Sequence, residues 1–249
     1  MFLSTPMGVT QTADHPKTSP FVPSSPSLSS LLRRLVVAHA DSVRNITEPR
    51  TGVEFTDKFV FQSGLGSGRH SLSLVGAGAR RKRLAGFPVD VYALGLYTDS
   101  TSVAAALGHT ISSTPLSQST YDAFISAGIE TGLRLQITFK LVTRDKFVGA
   151  IKERLEPLMS ADADAAASCE RFVRQFDRVE LGKGREVCFH LTQGHDSVTT
   201  CVDGINVGTI RSRSLGKSLL TIYLGVNPVS EEAKNRIGLG LRSMAESTS

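Results

Sequence analysis

From Leu133 to Val142 the chain reads Leu-Arg-Leu-Gln-Ile-Thr-Phe-Lys-Leu-Val, apolar and polar residues alternating over ten positions. That period of two marks a β-strand with one buried face. The period then changes: Phe147, Ile151, Leu155 and Leu158 recur at helical spacing, and a second helical stretch carries Cys169, Phe172, Val173 and Phe176. Short strand-like runs follow at Glu186–Leu191, Ser197–Val202 and Asn206–Ile210, punctuated by Gly194 and by Asp203-Gly204, a hairpin signal. Leu215, Leu219 and Ile222 mark one further helix. Ile237, Leu241, Met244 and Ala245 mark a last one, with Ser230 as its predicted N-cap. Upstream, Lys58–Phe61, His70–Gly76 and Arg80–Leu84 read as strands, with a bulge expected at the glycines, and Ser102–Leu107 as a short helix. Thr110–Ser119 reads as a Ser/Thr/Pro loop, and order is expected from about Val53. Strands, two helices, strands, two helices, with hairpins in place of βαβ units, predict an α+β domain: an antiparallel sheet covered on one face by a layer of helices.

The stretch Gly76–Tyr97 carries the most chemistry. Two strand-like runs flank Gly86, and folding the chain symmetrically about it sets Arg80 opposite Tyr92 and Lys82 opposite Asp90. Directly opposite residues share a sheet face, so a guanidinium fork and a phenol project side by side, a pair suited to gripping a carboxylate. The competing reading is a solvated charged hairpin in which Arg80 pairs with an acid of the chain, Asp90 being nearest.

Gly76-Ala-Gly-Ala-Arg80, Ala93-Leu-Gly-Leu-Tyr97 and Tyr223-Leu-Gly-Val-Asn-Pro-Val-Ser-Glu-Glu-Ala-Lys234 together resemble the chalcone isomerase family, over roughly Gly52 to Met244. The resemblance implies an open-faced sandwich with ligand between sheet and helices. Arg80 stands at the family's catalytic arginine. Tyr92 stands where the isomerases have Thr, Phe147 where they have a water-holding Tyr, Arg154 at an Asn position, and Gly216 and Lys217 in place of a ring-binding hydroxyl residue and its apolar neighbour. Phe cannot donate a hydrogen bond. Arg followed twelve residues later by Tyr resembles instead the family's non-catalytic, fatty-acid-binding branch, which implies Arg80 and Tyr92 on a carboxylate head. The tail would then lie along the strand Leu133–Val142 and the helix Phe147–Leu158, with Phe147 and Ile151 as candidate cleft lining. The alternatives are a chalcone–flavanone isomerase (an intramolecular lyase of flavonoid synthesis) relying on Arg80, and a non-enzymatic auxiliary protein.

Composition narrows the rest. With 40% apolar residues, 249 residues suit one full-sized core, expected at 51–249. Of the net charge of +5, four positive charges sit together at Arg80–Arg83 with no nucleic-acid-binding module around them. Three cysteines, Cys169, Cys188 and Cys201, include no Cys-x-x-Cys and read as packed free thiols. Six scattered histidines show no pair at metal-ligand spacing, so neither metal nor cofactor is expected. Gly64–Gly68 lacks a P-loop ending and reads as a connection. No apolar run is long enough to cross a bilayer. A small-molecule ligand, fatty acid or flavonoid-like, and a monomeric chain are expected. Residues 1–50 are rich in Ser, Thr and Pro, and Leu31–Val37 is basic and amphipathic. They read as a disordered extension, either a plastid or other organellar targeting segment or an untargeted tail on a cytoplasmic protein.

Overall fold

The computed structural model describes residues 44–62, 69–108, 111, 115–160 and 163–247, so the N-terminal targeting reading and the Gly64–Gly68 loop lie outside the described residues. A small hairpin, β1 (Asn45–Thr47) with β2 (Glu54–Thr56), precedes a seven-stranded antiparallel sheet. The sheet comprises β3 (Lys58–Gln62), β4 (Arg69–Leu84), β5 (Phe87–Thr98), β6 (Thr131–Ile137), β7 (Glu186–Leu191), β8 (Ser197–Val202) and β9 (Ile205–Arg211), each beside its sequence neighbours. Six helices complete the described fold: α1 (Ser100–Leu107), α2 (Gln118–Ala127), α3 (Arg144–Met159), α4 (Ala163–Arg174), α5 (Arg213–Leu224) and α6 (Glu231–Glu246). This is the α+β architecture that the patterning predicts.

Alternation sorts the central strands between two apolar layers. Leu94, Leu96, Leu133, Leu135, Val187 and Phe189 join the helix-side core. Ala93, Tyr97, Cys188 and Cys201 face the other way, into a smaller cluster closed by Phe55 of β2 and Phe61 of β3. Arg134 caps that cluster, its guanidinium 5.1 Å from the Phe55 ring and 5.3 Å from Phe59. Sheet pairing begins at Asn45, ahead of the expected start at Val53. The three exposed residues of β1 carry no burial signal, and only their register with β2 reveals them. The cysteines are free and buried. Burial pushes the thiols of Cys188, Cys201 and Cys169 up, which keeps them protonated and unreactive.

The Gly-x-Gly of β4 serves helix packing. Gly76 and Gly78 face α6, where a Cβ on Gly78 would lie 2.6 Å from Ala233 Cα and one on Gly76 2.8 Å from the Arg236 carbonyl oxygen. Only a strand without side chains lets the helix backbone come so near. Ser230 fixes the start of α6: its hydroxyl accepts from the Ala233 N–H at 3.2 Å and donates to the Ala79 carbonyl at 2.8 Å. Lys234, almost fully buried, donates to Gln118 Oε1 at 2.7 Å and to the Gly225 carbonyl at 2.8 Å, so its charge is solvated by the protein.

Two expected boundaries change. Helix α2 starts at Gln118 inside the stretch read as a loop, burying Thr120, Tyr121, Phe124 and Ile125. Its first turn is Ser/Thr-rich, which hides the helical period. β6 ends at Ile137, not Val142. Beyond it the N–H groups of Thr138 and Phe139 both donate to the Val91 carbonyl, at 3.1 and 3.3 Å, and the alternation continues through Phe139 and Leu141 as a loop.

Candidate ligand-binding cleft

The β4–β5 hairpin positions the site. Its turn is Ala85-Gly86, both at positive φ (48° and 86°), closed by the pair Leu84–Phe87. That turn is one residue out of step with a fold symmetric about Gly86. A bulge at Val91 restores the step, so Arg80 does lie opposite Tyr92. Between turn and bulge the register is shifted, and Asp90 faces Arg81 rather than Lys82. Arg81 takes up that carboxylate through two hydrogen bonds, of 3.0 and 3.3 Å. The competing reading, Arg80 paired with Asp90, does not occur.

Arg80 is only 7% exposed, and no carboxylate or carbonyl among the described residues accepts a hydrogen bond from its guanidinium. Its neighbour is the Tyr92 ring, with Cζ 5.6 Å from the centroid. That contact stabilises the charge partially and leaves the planar fork unused. Tyr92 is itself buried and meets Phe147 edge to face at 6.1 Å. Tyr223 of α5 completes the group. Burial pushes its phenol well above the ordinary range and the adjacent Tyr92 adds to this, while the Arg80 charge opposes. The Tyr92 phenol acts on Tyr223 as a hydrogen-bonding neighbour, yet the two oxygens fall short of good hydrogen-bond geometry, so the Tyr223 hydroxyl has no well-formed partner among the described residues. A buried cation without an acceptor and a buried hydroxyl without a well-formed one therefore sit together.

Arg80 and Tyr92 lie at a cleft of about 570 Å³ between the hairpin and α3, with Tyr223 next to them but not in its lining. This size suits a small amphiphile. Arg80 and Tyr92 line it with Val91, Phe139, Leu141 and Phe147, and Lys82 and Lys146 stand along its wall. Ile151 does not line it: it packs in the helix-side core, and the α3 wall is made by Asp145, Lys146, Phe147, Gly149, Ala150 and Glu153. Arg154 donates to the Asn227 carbonyl at 3.1 Å, tying α3 to the α5–α6 connection. Gly216 abuts the His195 side chain, where a Cβ would come within 2.9 Å, so that position holds no hydroxyl over the cleft. Sequence reasoning did not assign Tyr223 to the site, although it opens the C-terminal motif.

A second polar cluster lies outside the cleft. Glu130 Oε1 contacts His190 Nε2 at 2.7 Å and His70 Nδ1 at 2.8 Å. Burial pushes the Glu130 carboxyl up, but the two imidazoles outweigh it and hold the group below its ordinary value. Among the described residues these three are the set whose donor atoms converge closely enough to hold a metal ion. The buried His190 Nδ1 has no acceptor, so the outer partner that orients most metal-bound histidines is missing.

A curled antiparallel sheet under helices is the chalcone isomerase-like fold. The chalcone isomerase-like family model matches residues 50–240, and the chain belongs to that family. Among individual proteins it is similar to fatty-acid-binding protein 1 of Arabidopsis thaliana, 28% identical over 76% of this chain and 68% of the relative. It is also similar to fatty-acid-binding protein 2 of the same plant, 29% identical over 80% of this chain and 51% of the relative, about half that protein's length. The crystal structure of an Arabidopsis thaliana fatty-acid-binding protein superposes with a TM-score of 0.68 at 24% identity, covering 82% of this chain and all of the other.

Proposed function

We propose that the protein binds a fatty acid, or a similar carboxylate-bearing apolar molecule, without transforming it. The observation that carries this reading is the buried Arg80 fork, which no carboxylate of the described residues takes up although Asp145 and Glu153 also line the cleft. Burying an unpaired charge is expensive, and a ligand carboxylate is the missing partner. Arg80 would bind the head bidentately with Tyr92 and Tyr223 donating beside it. Val91, Phe139 and Phe147 would line the tail, each buried methylene adding about 0.8 kcal/mol. The relatives' names agree with this assignment. Against an isomerase stands Phe147, which cannot donate a hydrogen bond where those enzymes are expected to hold water with a Tyr. The likeness to plant proteins and the acid-poor N-terminus support a plastid location; the reading requires only a monomer.

The test is titration of delipidated protein with long-chain fatty acids, beside mass spectrometry of the lipids it carries through purification. Arg80→Ala removes charge-assisted bonds worth about 1.5–3 kcal/mol, so affinity should fall by roughly 10- to 150-fold. Arg80→Lys should recover only part, because an ammonium cannot bind bidentately. Wild-type protein that neither carries nor takes up a fatty acid sinks the proposal. So does rapid loss of chalcone absorbance on adding the protein.

A further inference from the structure

The cleft opens beside apolar residues that a purely water-facing surface does not require. At the hairpin tip Leu84 and Phe87 lie directly opposite each other and are 44% and 74% exposed. Leu141, 54% exposed, stands in the cleft wall with Leu84. Basic side chains surround them: Lys82, Arg83, Lys140 and Lys146 are all exposed. The nearby acids are largely taken: Asp90 is held by Arg81, and Asp145 by Arg144 at 2.7 Å, leaving Glu153 farther along α3. Lys82 and Arg83 have no acidic partner among the described residues.

We propose that this tip docks on an anionic lipid bilayer and that the cleft exchanges its ligand there. The inference rests on the fatty-acid reading of the cleft, since an apolar tail enters and leaves most readily where it need not cross water. Apolar side chains that insert and cations that meet anionic headgroups are the two signals that together hold a protein at a membrane surface. Flexible Lys and Arg around a convex apolar tip suit a fluid surface with no fixed geometry. A protein partner would call for positioned hydrogen-bonding groups and a flatter patch.

The experiment is flotation of the full chain with vesicles of phosphatidylcholine alone or with added phosphatidylglycerol. Partition is expected on the anionic vesicles only, weakening as salt is raised. Phe87→Ser should lower it about tenfold or more, and Arg83→Ser about fivefold at low salt. Phe87→Leu, which keeps the apolar side chain, should partition like wild type and guards against a folding artefact. Neither Phe87 nor Arg83 lines the cleft, so Phe87→Ser and Arg83→Ser should bind a soluble fluorescent fatty acid with unchanged affinity. Arg80→Ala should do the reverse, losing fatty acid while still floating. Failure of docking is thus distinct from failure of ligand binding. The proposal is overturned if wild type ignores anionic vesicles, or if Phe87→Ser floats as well as wild type, which would place membrane affinity elsewhere in the chain.

Discussion

Tyr223→Phe should make the ligand-free protein more stable and the liganded protein weaker. The Tyr223 hydroxyl is fully buried at the meeting point of sheet and helix α5, and its neighbour Tyr92 forms no well-aligned hydrogen bond with it. Stranding a polar group in this way costs about 1–3 kcal/mol, and deleting the oxygen recovers it less a small packing loss, leaving a net gain of about 1 kcal/mol. In a domain of this size that gain raises the melting temperature by about 2–4 °C. Burial keeps the phenol protonated far above neutral pH, so it serves as a donor throughout the physiological range. Donation to a bound carboxylate is worth about 1.5–3 kcal/mol, and its loss should weaken fatty-acid binding by tenfold or more. Scanning calorimetry of delipidated wild type and variant, followed by titration of both, reads the two effects separately. A variant no more stable than wild type, with equal affinity, refutes the reasoning: the hydroxyl would then have a partner, and its place beside Arg80 would be incidental.

Ala85 adopts φ 48° at the first turn position, where a Cβ is strained, so Ala85→Gly should raise the urea midpoint, corresponding to about 1 kcal/mol. Gly78→Ala should do the opposite, destabilising by about 1–3 kcal/mol in the same assay, because the new Cβ meets backbone of α6 at 2.6 Å. His195 is buried with its Nε2 on the Ile129 carbonyl at 2.9 Å; burial lowers its pKa, the carbonyl opposes, and the ring stays neutral. Below the ordinary value of 6.5 the unfolded chain takes up a proton that the folded chain refuses, so stability should fall from pH 6.5 toward the lowered value, by at most about 1.4 kcal/mol per pH unit. His195→Asn, which tolerates the positive φ of 56° at this position, should flatten that slope.

The hairpin was legible because strand pairing is local. Arg80 and Tyr92 meet at the register read from the sequence, although by a shorter turn and a bulge whose shifts cancel. The same cancellation hid the Arg81–Asp90 pair. Helical spacing identified the apolar face of α3 but could not say which of its residues meet core and which meet cleft. Phe147 fell to the cleft and Ile151 to the core. Tyr223 was beyond reach because its position beside Arg80 is set by helix-on-sheet packing, which leaves no periodic signal. The same holds for His70 on β4, Glu130 just before β6 and His190 on β7, which no local pattern links. Helix α2 escaped because Ser117 and the hydroxyls after it look like loop until the fold buries Tyr121 and Phe124.

The seat of α6 on β4 also sets an order of events at the ribosome. Every pairing in the sheet joins consecutive strands, so the hairpin bearing Arg80 and Tyr92 can form soon after it emerges. The helix that covers Gly76 and Gly78 is docked by a bond from Ser230 to Ala79, 151 positions apart. At about 5–20 residues per second, the glycine strip waits about 8–30 s for its cover. During that interval it is an uncovered sheet face with little side chain to hinder a neighbouring chain from packing onto it. Arg81, Lys82 and Arg83 adjoin that strip on the same strand. Their charge makes the nascent hairpin repel its copies for as long as the last helix is unmade.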